Sequence, residues 1–345
     1  MSFSRVPNWM LNRWYASVIV VTRGGYIKRM PLKTFERQNR GTRGKRGTSS
    51  TDGASVEDEV AHCFTCNDHD TLLMITNNGV AYGLRAYQVP TASRTAKGQP
   101  IPSVLPVRAD QAVTTVLAVS EFSKDEYVVL ATEQGSIKKT SLDAFENISS
   151  RGLTIATLDE NDRLNWCHRC RDGDDILIGT TGGMATRFES NKLRATGRTS
   201  RGVRALKLKS GDTIADMNVL KGRNEGDGGK NDGGKEEFVL CVTSQGFGKR
   251  ISTDEFRTQL RGGTGVIAIK FKSKHAEDRV SSFGIVNEDD EVLLITSKGI
   301  IVRQKVSAIA SQSRSATGVL IQKVDEGDHI SSVSLVPNYE ENDDA

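Results

Sequence analysis

The stretch VIVVTRGGYIKR, from Val18 to Arg29, carries the pattern that decides the fold, because five further copies of it follow along the chain. Each copy is an apolar run, then Thr, two residues and Gly, and then a run that ends in a basic residue. The other copies are LLMITNNGVAYGLR from Leu72, VVLATEQGSIKK from Val128, ILIGTTGGMATR from Ile176, FVLCVTSQGFGKR from Phe238 and VLLITSKGIIVR from Val292.

Each copy predicts a β-hairpin. The apolar run is typical of a buried strand, and the dipeptide that ends in Gly fits a tight turn that requires a positive φ. Alternation after the turn fits an outer strand with one solvated face. A second Gly follows the hairpin Gly by 17 or 19 residues, after a loop rich in small and basic residues. These second glycines are Gly44, Gly98, Gly152, Gly202, Gly265 and Gly318.

Six units of roughly 50 residues, each with about four short strands, have the size of propeller blades. The sequence therefore predicts an all-β fold, a propeller-like ring of six four-stranded blades over residues 16–336. Residues 1–15 are expected to be an N-terminal extension, 221–237 a flexible Gly-rich insertion, and 337–345 a disordered acidic tail. Two or three β-sandwiches are the competing interpretation, and the regular spacing of the two glycines in all six units argues against it.

Charge is distributed unevenly, although the formal net charge is only +4. The first 47 residues hold eleven Lys and Arg and one acid, Glu36, whereas seven acids and no Lys or Arg follow Lys323. A basic head and an acidic tail suggest a polyanion site with an internal competitor. We therefore expect the tail to compete with DNA for the basic surface.

Several kinds of site are not expected. The C-x-x-C pairs Cys63/Cys66 and Cys167/Cys170 have zinc-like spacing, but the repeat places them at apolar strand positions, where residues i and i+3 point to opposite faces. The sequence from Gly229 to Lys235 reads G-x-x-x-x-G-K, but Glu follows where a phosphate-binding loop needs Ser or Thr. No nucleophile–base set is evident, and no apolar run approaches the roughly 20 residues of a membrane span. No metal, catalysis or membrane partner is therefore predicted.

Basic residues recur at repeat-equivalent positions, which predicts a belt of positive charge around the rim. Such a belt would bind and bend duplex DNA with little sequence preference and strong salt dependence, although a merely solvated polar face is the simpler interpretation. The belt residues after the hairpin Gly are Lys28, Arg29, Arg85, Lys138, Lys139, Arg187, Lys249, Arg250 and Arg303. Those near the second Gly are Arg40, Arg43, Lys45, Arg46, Arg94, Lys97, Arg151, Arg198, Arg201, Arg257, Arg261 and Arg314.

The segment QNRGTRG, from Gln38 to Gly44, resembles the gyrase A box, Q-[RK]-R-G-G-[RK]-G, which marks the C-terminal DNA-wrapping domain of the DNA gyrase A protein. The flanking GGYIKRMPLKTFERQ and the second unit's AYGLRAYQVPTASRTAKGQPI are also similar to that domain. Asn39 and Thr42 depart from the motif, where a basic residue and a Gly are usual. By position, Gln38, Arg40, Gly41, Arg43 and Gly44 match the box.

The resemblance implies a β-pinwheel, in which blades exchange strands, and chiral wrapping of duplex DNA that supports ATP-dependent negative supercoiling. The partners implied are the rest of the gyrase A protein and the gyrase B protein, in a bacterial or organellar nucleoid, with the isolated domain a monomer. ATP and magnesium would be used elsewhere in the holoenzyme, so no cofactor is expected here. The alternatives are the matching domain of the topoisomerase IV A protein and a propeller that binds protein partners.

Overall fold

The computed structural model describes residues 16–31, 60–93, 96–108, 110–148, 150–222, 236–272, 277–298 and 300–336. Its regular elements are almost all β-strands. In chain order they are β1 (Ala16–Thr22), β2 (Tyr26–Pro31), β3 (Val60–Asn67), β4 (Thr71–Thr76), β5 (Val80–Arg85), β6 (Gln99–Pro100), β7 (Val113–Val119), β8 (Glu126–Thr132), β9 (Ser136–Ser141), β10 (Leu153–Thr154), β11 (Leu164–Arg171), β12 (Asp175–Thr180), β13 (Met184–Glu189), β14 (Val203–Arg204), β15 (Ile214–Leu220), β16 (Glu237–Thr243), β17 (Phe247–Ser252), β18 (Val266–Ile267), β19 (Val280–Asn287), β20 (Glu291–Thr296), β21 (Ile301–Lys305), β22 (Val319–Leu320) and β23 (Ile330–Val336).

Helices in the described residues are short. One α-helix, α1, spans Ile101–Val104. Single turns of 3-10 helix follow the second strand of five hairpins, at Ala86–Gln88, Leu142–Phe145, Ser190–Lys192, Thr253–Glu255 and Val306–Ala308. Among the described residues, no helix is long and apolar enough to cross a bilayer.

The chain divides into two compact units, and each holds complete sheets. Met1–Ser123 and Leu142–Thr157 form the first unit, which contains the sheets β3-β1-β2-β6 and β10-β5-β4-β7. Lys124–Ser141 and Leu158–Ala345 form the second, with the sheets β11-β8-β9-β14, β15-β12-β13-β18, β19-β16-β17-β22 and β21-β20-β23. These six sheets are the first to sixth blades, and the all-β prediction with six blades is confirmed.

Each predicted hairpin forms, and the repeated Thr explains its shape. The Thr hydroxyl oxygen accepts a hydrogen bond from the backbone N–H four residues later, at 3.1–3.3 Å in all six hairpins. The hairpin Gly donates its own N–H to the Thr carbonyl at 3.0 Å in Gly25, Gly79 and Gly246. A φ of +80° at Gly246 is the left-handed conformation that the turn requires and that Gly adopts readily.

The fourth strand of each of the first five blades is supplied by the following repeat, as the resemblance to a β-pinwheel implied. β6 follows Gly98 in the second repeat but pairs with β2 of the first, and β22 follows Gly318 in the sixth but pairs with β17 of the fifth. β10, β14 and β18 are donated in the same way to β5, β9 and β13. These donated strands span two residues each, which is shorter than the runs after the second glycines suggested.

The cores lie between successive sheets within each unit. In the first unit, Ile19 of the first blade packs in one cluster with Leu72 and Met74 of the second. In the second unit, Phe283 packs with Leu177 and Ile251 across the fourth and fifth blades. A fully buried side chain of this size stabilises the fold by about 1.5–3 kcal/mol, so the apolar runs of the hairpins supply most of the packing energy.

Six sheets cover the predicted domain from Ala16 to Val336. Residues 1–15, most of the insertion (223–235) and residues 337–345 lie outside the described residues, so the boundaries of the extension, insertion and tail stay predictions.

Candidate nucleic-acid interface

Three predicted belt lysines, each three residues after a hairpin Gly, are buried. Lys28, Lys138 and Lys249 expose 1 %, 4 % and 0 % of their surface. The ammonium of Lys249 donates to the carbonyl oxygens of Ser313, Arg314 and Ala316 at 2.7, 2.6 and 3.0 Å. Burial lowers the pKa of Lys249 to about 8, since the charged form loses its hydration.

Lys138 repeats this arrangement in the third blade. Its ammonium donates to the carbonyl oxygens of Gly197, Arg198 and Ser200 at 2.9, 2.6 and 3.2 Å, and burial lowers its pKa to about 8. Lys28 donates to the carbonyl of Ala96 at 2.8 Å. We call Lys138 and Lys249 the caged lysines. In all three cases the acceptors belong to the loop before the second Gly of the next repeat.

The cation four residues after the hairpin Gly links one blade to the next. Arg250 is bound to Glu288 at 2.9 Å and donates to the carbonyl of Ile309 at 2.7 Å. Lys139 is bound to Asp172 at 2.8 Å and to the carbonyl of Ser190 at 2.9 Å. Each of these groups therefore already has a counter-charge and a carbonyl from the following blade.

Arg29 and Arg187 follow the same plan. Arg29 contacts both carboxylate oxygens of Asp68 and the carbonyl of Val89. Arg187 contacts Asp175 of its own blade at 2.7 Å and the carbonyl of Thr253 in the next. Such fixed, partly buried pairs hold adjacent blades together.

Two predicted hairpin cations are exposed. Arg85 donates to the carbonyl of His69 at 2.9 Å. Arg303 is bound to Glu291 of its own sheet, and 60 % of its side chain is accessible. An exposed ion pair of this kind contributes little to stability, because water competes for both charges.

Predicted cations near the second glycines lie mostly at the surface. Arg201 is bound to Asp159 at 3.0 Å with both side chains largely accessible. Arg314 donates to the carbonyl of Ile267 at 2.9 Å, and the ammonium of Lys97 lies 4.3 Å from the centre of the Tyr26 ring. Arg198 is half-buried.

The remaining predicted site residues lie outside the described part of the chain, so their role stays a prediction. They are Gln38, Arg40, Gly41, Arg43, Gly44, Lys45, Arg46 and Arg94.

Three loop segments in the second unit form the strongest candidate interface. Residues 197–209, 257–272 and 311–318, which we call the loop strip, contain ten Lys and Arg and no Asp or Glu. Seven of these cations are exposed and three are half-buried. The sequence prediction included five of the ten and missed Arg204, Lys207, Lys209, Lys270 and Lys272, and the signal that identifies these five is the absence of acids over three whole segments. The ten cations are Arg198, Arg201, Arg204, Lys207, Lys209, Arg257, Arg261, Lys270, Lys272 and Arg314.

Backbone contacts join the three segments into one surface. Arg261 donates to the carbonyl of Arg204 at 2.6 Å, and the N–H of Lys207 donates to Gly263 at 2.8 Å. Farther along, the N–H of Lys270 donates to the carbonyl of Ala316 at 3.3 Å. The loop strip is therefore a continuous, hydrogen-bonded basic surface, and only neighbouring residues such as Asp159 and Glu255 bring negative charge to it.

Acids elsewhere in the second unit serve the hairpin turns. The Asp212 carboxylate accepts from the hydroxyls of Thr180 and Thr181 and from the N–H of Gly182. Asp328, which the sequence analysis counts with the acidic tail, accepts from the Ser297 hydroxyl at 2.6 Å and from the N–H of Lys298. Although desolvation opposes it, these hydrogen bonds lower the pKa of Asp328 below its usual range. Asp328 thus caps a turn and is not part of a free acidic tail.

Both C-x-x-C pairs lie on strands, β3 and β11. Cys66, Cys167 and Cys170 are buried, whereas Cys63 is exposed. Burial raises the pKa of Cys66 and of Cys170 to about 12, so these thiols stay protonated at neutral pH. Across the described ranges, no group of three or more His, Cys, Asp or Glu side chains could hold a metal ion.

Comparison with known proteins agrees with this architecture repeat by repeat. The family described as "DNA gyrase C-terminal domain, beta-propeller" matches residues 16–67, 70–120, 126–171, 174–221, 237–287 and 290–337. The chain belongs to this family. The resemblance seen in the sequence is thereby confirmed, and so is the six-bladed, propeller-type fold class of the gyrase C-terminal domain.

Relatives and solved structures extend the match. The DNA gyrase A protein of Synechocystis sp. is 44% identical over 342 residues, covering 93% of this chain and 39% of that protein. The DNA gyrase A protein of Staphylococcus epidermidis is 34% identical over 326 residues, covering 94% of this chain and 35% of that protein. The chain thus spans well under half the length of these curated relatives. A solved gyrase A C-terminal domain matches with a TM-score of 0.69 and 25% identity, covering 93% of this chain and 99% of that one.

The C-terminal domain of DNA topoisomerase IV is similar in fold. It matches with a TM-score of 0.76 and 23% identity, covering 93% of this chain and 93% of that one. At this identity the likeness concerns the fold alone. The relatives named above, which are 34% and 44% identical over most of this chain, are both DNA gyrase A proteins.

Proposed function

We propose that this gyrase-type C-terminal domain binds duplex DNA without strong sequence preference, bends it, and wraps it with a chiral sense. The observation that carries the proposal is the acid-free loop strip, whose ten cations lie in three segments joined by hydrogen bonds. Cations gathered on one surface neutralise neighbouring phosphates of the DNA backbone, and the release of condensed counterions drives such binding. The strip offers no row of aromatic side chains for stacking bases, which favours duplex over single strands.

In the cell, the domain would act with the rest of the gyrase A protein and with the gyrase B protein in ATP-dependent negative supercoiling. We infer a place in the nucleoid of a bacterium or of an organelle. The domain itself would need no cofactor, because phosphate binding by Lys and Arg requires none. We assign no catalytic step to this chain.

A topology assay tests the wrapping proposal. The protein is incubated with relaxed closed-circular plasmid, a nicking-closing enzyme resets the free DNA, and the linking number is read after protein removal. We expect a protein-dependent shift in linking number that is lost in the double variant Arg201→Ala/Arg204→Ala. The matched control is Arg108→Ala, which removes an exposed arginine outside both the predicted belt and the loop strip and should leave the shift unchanged.

Other outcomes separate the alternatives. DNA binding without a linking-number shift would point to a bending domain of the topoisomerase IV type. The absence of DNA binding at low salt would favour a propeller that binds protein partners. Changing Arg40 and Arg43 to Ala in the same assay tests the segment that resembles the gyrase A box.

A further inference from the structure

The caged lysines connect two surfaces that are otherwise separate. Lys138 lies on β9 and Lys249 on β17, but the three carbonyls named above for each ammonium belong to a loop from the following repeat. An ammonium has three N–H donors, and each of these cages offers three acceptors within 3.2 Å. The number of donors therefore equals the number of acceptors in each cage, and the conformation of the loop depends on the lysine.

The two loops held in this way are parts of the loop strip. Residues 197–200 supply the cage of Lys138 and are followed by Arg201, and residues 313–316 supply the cage of Lys249 and include Arg314. Turning successive carbonyls inward onto one cation fixes the backbone that carries Arg201 and Arg314. It also places a buried positive charge directly beneath the loop.

The fourth blade lacks this device and provides an internal control. Thr186, which is buried, occupies the position that corresponds to Lys138 and Lys249. The loop above it is joined to its hairpin by β18 and by a hydrogen bond from the N–H of Gln259 to the carbonyl of Arg187 at 2.7 Å. The loops of the third and fifth blades make the equivalent bonds from Thr196 and Gln312, so residues 257–265 share these backbone contacts but have no lysine beneath them.

We propose that Lys138 and Lys249 are positioning residues for DNA binding, which hold two loops of the strip in their binding conformation without touching the phosphates. This inference rests on the proposed function. It differs from a direct-contact role, since both ammonium groups are shielded from solvent by the loops that they hold. It also differs from a purely structural role, because the loops they hold carry the cations of the interface.

Charges around the two cages predict a pH effect. Cys241, Glu255 and Arg314 face Lys249, and Glu255 favours its charged form while Arg314 opposes it. Lys138 lies under the loop that carries Arg198 and Arg201, and burial alone lowers its pKa. Phosphates outside these loops would favour the charged ammonium, so DNA binding would take up protons near pH 8 and weaken as the pH rises through that value.

Two measurements on the full chain test the proposal. Hydrogen exchange without DNA reports the order of each loop, and titration of a short mixed-sequence duplex at several salt concentrations and pH values reports affinity. The variants are Lys138→Met, Lys249→Met and the double variant, with Thr186→Val as the matched control. Where a Met variant does not fold, the Lys→Gln variant at the same position is used instead, because the Gln side chain keeps an amide N–H donor.

We expect faster exchange in residues 197–202 and 313–318 of the Lys variants and unchanged exchange in 257–265. DNA affinity of the double variant should fall by about tenfold, the scale of one or two lost charge-assisted contacts. In the parent, DNA affinity should decrease as the pH rises through about 8, and this decrease should be absent in the double variant. Thr186→Val should match the parent in both measurements.

Three results would overturn the inference. Unchanged loop exchange with weaker binding would mean that the lysines contact DNA directly. Faster exchange with unchanged affinity would mean that the lysines have only a structural role. If the affinity of the double variant depends on pH as that of the parent does, the charge of the lysines does not contribute to DNA binding. Failure of the parent to bind DNA at low salt is a different outcome, because it would contradict the proposed function itself while the exchange data still report whether the lysines hold the loops.

Discussion

The fifth and sixth blades begin from the same hairpin motif and place the cations that follow its turn in opposite surroundings. In the fifth blade, β17 is buried along its length, and Lys249 is fully covered. In the sixth, alternate residues of β21 are exposed, and Arg303 is open to solvent on most of its side chain. The difference is the following repeat: β22 and the loop before it lie on β17, whereas within the described residues β21 pairs with β20 alone.

The comparison shows that a repeated motif does not fix the role of its residues. A Lys or Arg after the hairpin turn becomes a buried link where a donated strand and loop cover it, and a surface charge where none does. Substitutions at matched positions of the two blades should therefore differ in their effects.

The largest difference is expected for Lys249→Met against Val302→Met at the corresponding position of the sixth blade. Loss of the ammonium leaves three loop carbonyls without their donor, which should lower the free energy of unfolding by roughly 2–4 kcal/mol. Val302 is only half-buried, so its change should stay below about 1 kcal/mol. Denaturant unfolding of both variants measures the difference, and equal losses would contradict the comparison.

A second pair of variants probes the covering of the turns. At Gly246 the φ is +80°, and an added Cβ would lie 2.0 Å from the carbonyl oxygen of Gln322 in the donated segment. Gly327, in a turn of the sixth blade, also has a positive φ, but its Cβ would meet only the end of Lys298 at 3.8 Å. Gly246→Ala should therefore destabilise the protein by about 2–3 kcal/mol and Gly327→Ala by about 1 kcal/mol, as measured by thermal unfolding.

The arginines give a smaller contrast. Arg250→Met removes a buried hydrogen bond to Ile309 and an ion pair with Glu288, and about 1–2 kcal/mol of stability should be lost. Arg303→Met should change stability by less than about 0.5 kcal/mol, since its pair with Glu291 is solvated. If urea titration gives the two variants the same midpoint, burial by the next repeat is not what distinguishes them.

The last contrast concerns pH. The pKa of Lys249 is lowered from 10.5 to about 8 in the folded protein, so below pH 8 the folded state bears the full penalty of the buried charge. The penalty is relieved as the pH rises from 8 towards 10.5, and this group alone makes the fold more stable over that range. The stability difference between parent and Lys249→Met should change in this direction across that window, and a difference independent of pH would mean that Lys249 does not titrate there.

The strand architecture could be predicted from the sequence because hairpins are local. Thr243, Gly246 and the apolar run before them lie within one short stretch, and the chemistry of the turn needs nothing from elsewhere. The donation of strands could not be derived from the repeat itself, because a two-residue strand such as Val319–Leu320 has no periodicity of its own. Only the family resemblance suggested that blades exchange strands.

The sequence predicted which positions carry basic residues, but it did not predict which of them are buried between blades and which are exposed. The sequence shows that Lys138, Arg187 and Arg303 recur at related positions, but it cannot show which of them a neighbouring loop will cover. Burial and ion pairing depend on residues far along the chain, such as Asp172 for Lys139. A segment's lack of acids is a local property, and for that reason the loop strip could have been found from the sequence.

Strand donation also gives the domain a direction of assembly. As the chain leaves the ribosome, the fifth hairpin can fold at once, but its sheet stays one strand short until the sixth repeat has been synthesised. Until then, the backbone groups on the outer edge of β17 have no partner from β22, and Lys249 has no cage. A newly made blade therefore has an exposed sheet edge until the following repeat supplies the fourth strand. Folding of one repeat thus depends on synthesis of the next.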